Sequence, residues 1–180
     1  MKINQINNVI IILAGGLGKR MNSNLPKVLH KLKNKPMLIH ILETGLSLNV
    51  FKIGIVVGKY YNMIEDVLYE YFTKELVCSK IFFIKQNEPL GTGHAIMSCK
   101  TFINKLPLNI KNICILSGDV PLIKKETINT MLNNTNTCNI LIAKNDNPVG
   151  YGRIIIYNNR IIKIVEEKDC NEGEKQIQLI

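Results

Sequence analysis

The sequence has no tryptophan, three histidines and three arginines among its 180 residues. Each shortage removes a class of function. Arg20, Arg153 and Arg160 are the only guanidinium groups, so the net charge of +9 rests on lysines scattered along the chain. Nucleic-acid readers concentrate arginine and aromatic side chains, and no nucleic-acid partner is expected here. His30, His40 and His94 have neither i,i+4 spacing nor a neighbouring cysteine pair, which leaves them as packing residues rather than metal ligands. The five cysteines, Cys78, Cys99, Cys114, Cys138 and Cys170, are odd in number, widely spaced and without a C-x-x-C pair. That pattern disfavours a disulfide framework and a zinc site, and it fits reduced thiols in a cytosol. Long apolar runs are missing too. None reaches the roughly 20 residues that span a bilayer, so no membrane partner is expected. The run from Val9 to Leu17 has only Lys2 to charge the segment before it, too little for a signal-peptide core. It reads as the first strand of a cytoplasmic protein.

What is present is ordinary globular material. The apolar and charged fractions are 46% and 21%, and a domain of this length buries roughly 70% of its unfolded surface. One domain over residues 1–180 is expected, with no repeat, low-complexity tract or linker. Short β-branched runs, Val9 to Ala14, Lys52 to Val57, Ile81 to Lys85, Asn112 to Ser117 and Asn139 to Lys144, read as strands. Several are apolar on both faces, as in a covered parallel sheet. Pro36 to Leu48, Tyr60 to Phe72, Gly93 to Asn104 and Lys124 to Leu132 carry helical spacing. This βαβ rhythm predicts an α/β fold with a Rossmann-like, doubly wound, mostly parallel sheet. Near the C-terminus the pattern changes. Gly152 to Tyr157 and Arg160 to Glu166 read as strands joined at Asn158-Asn159, an antiparallel β-hairpin attached to that sheet.

Gly15, Gly16 and Gly18 fall in the turn after the first strand, a usual phosphate site of such a sheet. Without Cβ atoms, the backbone N–H groups there can close on an anion. Two named loops fail. A dinucleotide G-x-G-x-x-G from Gly16 needs glycine or alanine where Met21 stands, and a Walker A loop ending at Gly18-Lys19 needs glycine at Leu13 and Ser or Thr at Arg20. What remains is G-G-x-G-x-R, with Lys27 seven residues after Arg20 in Leu25-Pro26-Lys27. Two cations flanking one loop suit a triphosphate, whose charge must be neutralised as pyrophosphate leaves. Pro26 stiffens the backbone beside Lys27 and fixes its approach. Gln86 can offer an amide donor and acceptor to a ligand's polar edge, while Gly91 and Thr92 at a helix start supply N–H groups and a hydroxyl. Asp119 follows a strand, at the sheet edge where the triphosphate would lie.

The stretches L-A-G-G-L-G-K-R-M (Leu13 to Met21), S-N-L-P-K-V-L-H-K-L (Ser23 to Leu32) and K-P-M-L-I-H (Lys35 to His40) resemble the pyrophosphorylase signature of sugar nucleotidyltransferases. Q-N-E-P-L-G-T-G-H-A (Gln86 to Ala95), S-G-D-V-P-L (Ser117 to Leu122), G-Y-G-R-I (Gly150 to Ile154), I-V-E-E-K-D (Ile164 to Asp169) and Q-I-Q (Gln176 to Gln178) follow in the same order. The likeness runs over nearly the whole chain and is greatest to the N-terminal uridyltransferase domain of bifunctional bacterial enzymes that also carry an acetyltransferase domain.

The resemblance implies nucleotide contacts at Leu13, Ala14, Gly15, Gly16, Gly18 and Lys27, at Gln86, Gly91 and Thr92, and at Ser117, Gly118 and Asp119. Arg20 and Lys27 become the catalytic cations, Asp119 the ligand of a Mg²⁺ cofactor, and Gly152 and Glu166 the contacts of an acetylated sugar. Implied with them is the synthesis of UDP-N-acetylglucosamine and pyrophosphate from UTP and N-acetylglucosamine 1-phosphate, a step toward cell-envelope precursors. In the family the Q-I-Q motif continues with an asparagine beyond the last position here, so the domain is expected to be incomplete at its C-terminal end. The acetyltransferase β-helix domain is expected to be absent and the chain monomeric. Gly15 stands where alanine is usual in this family, and Ser117 where tyrosine is usual. A remnant that only binds nucleotide, and a sibling transferase with another base or sugar, are the alternatives.

Overall fold

The computed structural model describes residues 7–16, 23–134 and 138–180. The chain divides into two compact units, Met1–Thr135 and Asn136–Ile180. The first unit runs through β1 (Asn8–Leu13), β2 (Lys31–Leu32), β3 (Lys35–Pro36), α1 (Met37–Leu46), β4 (Ile53–Val57) and α2 (Tyr61–Tyr71). It continues through α3 (Lys74–Lys80), β5 (Ile81–Lys85), α4 (Thr92–Met97), α5 (Lys100–Asn104), β6 (Asn112–Ser117) and α6 (Lys125–Asn133).

The sheet grows outward from β1. Its sequence, N-V-I-I-I-L, is β-branched at almost every position, so it favours extended backbone. Both of its faces are apolar, and both are covered. Ile10 and Ile12 pack in one core with residues of α1, α2, α3 and α6, while Val9 and Ile11 pack in a second core with Ala95 of α4 and Phe102 of α5. Each such side chain, taken fully out of water, stabilises the fold by about 1.5–3 kcal/mol. The strand order is β5-β4-β1-β6, all parallel. Chain order therefore reverses between β1 and β6, and that reversal opens a crevice at the carboxyl ends of the two strands. The register sets Leu13 beside Ser117 there. The fold is thus the expected Rossmann-like α/β type.

Among the elements longer than four residues, three differ from the sequence-based expectation. The helix expected over Gly93–Asn104 is broken into α4 and α5. At the break, the Ser98 hydroxyl donates to the His94 carbonyl at 2.9 Å and Cys99 N–H donates to Ile96 at 2.9 Å, a tightened i−3 turn in place of the α-helical bond. The short helix α3 was not anticipated. Thr73 starts it, with its side-chain oxygen accepting from Leu76 N–H at 3.3 Å. Asn139–Lys144, expected as a strand, is not one. Among the described residues, the stretch has one bridge, from Lys144 to Leu179, with Ala143 and Ile180 exchanging backbone bonds beside it, too little partner for a ladder.

The second unit holds the expected antiparallel hairpin, β7 (Arg153–Tyr157) and β8 (Arg160–Val165), followed by the four-residue α7 (Glu172–Lys175). Asn158 and Asn159 both take left-handed conformations, φ 48° and 58°, which asparagine tolerates at a two-residue turn. Arg153 is 1% exposed and ties the unit together. It donates to the Tyr151 and Lys175 carbonyls and pairs with Glu167, whose other carboxylate oxygen accepts Gly150 N–H. No described helix is long and apolar enough to cross a membrane.

Candidate functional site

In the first unit, the crevice at the carboxyl ends of β1, β5 and β6 is an open cavity of about 440 Å³. Leu13, Gly15, Gly16, Lys27, Gln86, Gly91, Thr92, Ser117 and Asp119 all line it. These are nine of the residues singled out in the sequence, drawn from four separate stretches of chain. Ala14 and Gly118 are buried beside the lining. Gly118 fits only without a side chain, because a Cβ would stand 2.7 Å from the Leu13 carbonyl oxygen. Gly18 and Arg20 lie outside the described residues. Gly152 and Glu166 belong to the second unit, at the base of the hairpin, where Gly152 is half-buried and Glu166 exposed.

Each side chain is aimed by local structure. Lys27 opens a 3-10 turn, Lys27–Leu29, whose Val28 and Leu29 are sunk into the core and whose Pro26 is also buried. Anchored on both sides, the lysine has only its side chain free to reach outward. Its ammonium donates to Asp119 Oδ2 at 2.6 Å. Asp119 sits two residues past β6, and Ser117, the last residue of that strand, donates from its hydroxyl to the other carboxylate oxygen at 2.6 Å. Burial works to raise the Asp119 carboxyl. The Lys27 and Ser117 hydrogen bonds and the Lys27 charge outweigh it and hold the group below the usual carboxylate range.

Gln86 directly follows β5, and its backbone N–H still donates to Val57 of the neighbouring strand at 2.7 Å. The residue is 6% exposed. Its nitrogen lies 3.3 Å from the Gly91 carbonyl and 3.2 Å from His94 Nδ1. Gly91 precedes α4 at φ 104°, a conformation that side chains rarely adopt. Sequence reasoning missed Val28, Pro89 and Ala95 of the lining. Each adjoins or lies within a motif that was singled out, so proximity to Lys27 and Gly91 was the available signal.

No group of three or more His, Cys, Asp or Glu gathers among the described residues. The donor set at this crevice is instead one ionised carboxylate already matched to a cation. Magnesium fits such a set, because it commonly takes one or two protein carboxylates and completes its shell with phosphate oxygens and water. The cavity thus combines an acidic group, a fixed ammonium, an amide and glycine backbone. That combination can hold a phosphorylated, base-bearing ligand.

Residues 10–178 match the family model described as MobA-like NTP transferase domain. A protein of Acanthamoeba polyphaga mimivirus, described as a probable UDP-N-acetylglucosamine pyrophosphorylase, is 42% identical over 177 residues, 95% of this chain and 66% of its own length. The bifunctional protein GlmU of Clostridium botulinum is 38% identical over 93% of this chain and 35% of its own. The chain therefore spans about two thirds of the viral relative and a third of the bacterial one. Among solved structures, a UDP-glucose pyrophosphorylase complexed with UDP-glucose superposes with a TM-score of 0.71 at 19% identity, covering 96% of this chain and 72% of that one. HddC from Yersinia pseudotuberculosis, complexed with GMP-PN, superposes at 0.57 with 26% identity over 88% of this chain and 68% of its own.

Proposed function

This chain belongs to the MobA-like NTP transferase domain family, and from that membership we propose that it transfers the uridylyl group of UTP to N-acetylglucosamine 1-phosphate. The products are UDP-N-acetylglucosamine and pyrophosphate. One observation carries the reading: Gly15, Lys27, Gln86 and Asp119, remote in sequence, converge on a single cavity. The relatives named for UDP-N-acetylglucosamine pyrophosphorylase and GlmU support the choice of base and sugar.

In the proposed reaction a phosphate oxygen of the sugar phosphate attacks the α-phosphorus of UTP in line. The bond from that phosphorus to the bridging oxygen breaks, and pyrophosphate leaves with the oxygen and the electron pair. No covalent enzyme intermediate is needed, so the chain contributes positioning and charge. Lys27 donates to phosphate oxygens, and Arg20 supplies the second cation of the glycine loop. The backbone of Gly15 and Gly16 closes on the nucleotide. Gln86, Gly91 and Thr92 hold the base, and Gly152 and Glu166 take the sugar. Asp119, together with phosphate oxygens and water, would hold Mg²⁺, whose charge offsets that of the phosphates when it is bound.

The test is pyrophosphate release from UTP and N-acetylglucosamine 1-phosphate with Mg²⁺. Arg20→Ala should lower turnover by about 10²- to 10³-fold, as expected for one preorganised donor. Turnover within a few-fold of the original would remove Arg20 from the mechanism. Thermal stabilisation by UTP and Mg²⁺ without turnover would favour a chain that binds nucleotide only. Glucose 1-phosphate in place of the acetylated sugar is the control for sugar choice.

A further inference from the structure

We infer that His94 is a positioning residue: it holds the Gln86 amide with both hydrogens turned into the protein and its oxygen left for a base. The inference rests on the reading of the cavity as a nucleotide site. It begins at the Gly91 carbonyl, which can only accept. The Gln86 atom 3.3 Å from that oxygen must therefore be the amide nitrogen, since the amide oxygen there would set two acceptors against each other. The same nitrogen lies 3.2 Å from His94 Nδ1. With one hydrogen given to Gly91, the other is directed at the ring, so Nδ1 must accept and the ring proton must sit on Nε2. A backbone carbonyl thus fixes an amide, and the amide fixes a tautomer.

Oε1 is then the free end. It lies on the Gly15 side, 2.9 Å from where a β-carbon on Gly15 would stand, and among the described residues no protein donor reaches it. Gln86 is buried to 6% exposure and both its hydrogens are engaged, so the amide cannot turn over without breaking two hydrogen bonds. It therefore meets a base as an acceptor only. An imide N3–H, as in uracil, satisfies that acceptor. A cytosine in the same pose presents the N3 lone pair to the Oε1 lone pairs, and an unpaired buried acceptor is costly. His94 never touches the base in this scheme. It acts by accepting the second amide hydrogen, so that turning the amide over breaks two hydrogen bonds where Gly91 alone would leave one.

Two measurements on the 180-residue chain test this. In ¹⁵N-labelled protein without nucleotide, His94 should show the Nε2–H tautomer, and the Gln86 side-chain hydrogens should exchange slowly with solvent. An Nδ1–H tautomer, or freely exchanging Gln86 hydrogens, overturns the proposal. The second measurement is the ratio of UTP to CTP affinity. His94→Phe keeps a ring but removes the acceptor, and it should reduce the UTP preference by about tenfold, the scale of one mismatched buried hydrogen bond. His94→Asn returns an acceptor at a similar reach and should restore the preference. A ratio unchanged in His94→Phe sinks the idea, because a merely structural histidine would weaken both nucleotides alike. If the original chain binds neither nucleotide, the proposed function falls, and the tautomer and exchange data still decide the question of the amide.

Discussion

Asp119 shows how three residues set one charge. Lys27 and Ser117 occupy its two carboxylate oxygens, and their hydrogen bonds override a burial that would otherwise favour the neutral acid. A carboxyl held below its ordinary value of 3.8 contributes stability that is fully present above that value and is lost as pH falls through the lower, folded value. Between pH 7 and 5, therefore, this pair should cost the fold nothing. A ¹³C titration of the Asp119 carboxyl should show its midpoint below 3.8, and in Lys27→Met the midpoint should move upward. Because Lys27 is 45% exposed and Asp119 28%, the pair adds at most about 1 kcal/mol to stability. Removing the ammonium should instead show in metal binding. Without nucleotide, Lys27→Met should bind Mg²⁺ more tightly in a calorimetric titration, since no cation has to be displaced. Equal or weaker binding would mean that Lys27 and the metal do not compete for Asp119.

At the level of elements, the strands were the most legible part of the chain. β1 and β4 are written mostly in β-branched residues and β5 and β6 in isoleucine mixed with aromatic and other apolar side chains, and helices that lay an apolar face on the sheet repeat every three or four residues. Breaks are written more faintly. At the break between α4 and α5, Ser98 N–H keeps its bond to the His94 carbonyl and only Cys99 N–H shifts, to Ile96, and a serine and a cysteine in a helical pattern give no such warning. The helix α3 is only seven residues long, and Thr73 followed by Glu75 in the first turn was its available signal. Thr73→Ala removes the cap and should destabilise the chain by about 0.5–2 kcal/mol in urea unfolding, with the cavity untouched. The site was half legible for the same kind of reason. Glycines, Gln86 and Asp119 declare themselves by type and by motif. The contact of Lys27 with Asp119 spans 92 residues and depends on the register that sets Leu13 beside Ser117, which no local pattern encodes. His94 read as a packing residue because its partner is chosen by the turn at Gly91.

For the whole molecule, cysteine chemistry reports on how completely the chain closes around its core. Cys99, Cys114 and Cys170 are buried, while Cys78 and Cys138 are exposed. Burial pushes the Cys99 and Cys114 thiols up, away from the reactive thiolate. A thiol reagent at pH 8 should therefore modify two cysteines quickly in the native protein and the other three only on unfolding. Rapid labelling of Cys114 would mean that the face of the sheet carrying α6 opens readily. Topology also gives the molecule a timetable. The side chain of Asn112 meets that of Asn8 across 104 positions, and no crossover can be omitted before β6 takes its place beside β1. A ribosome adding about 5–20 residues per second needs roughly 5–20 s to cover that distance. Through that interval one edge of β1 stays bare, an isoleucine-rich strand offering unpaired backbone to any other emerging chain. The cavity beside it cannot close until β6 and Asp119 have followed.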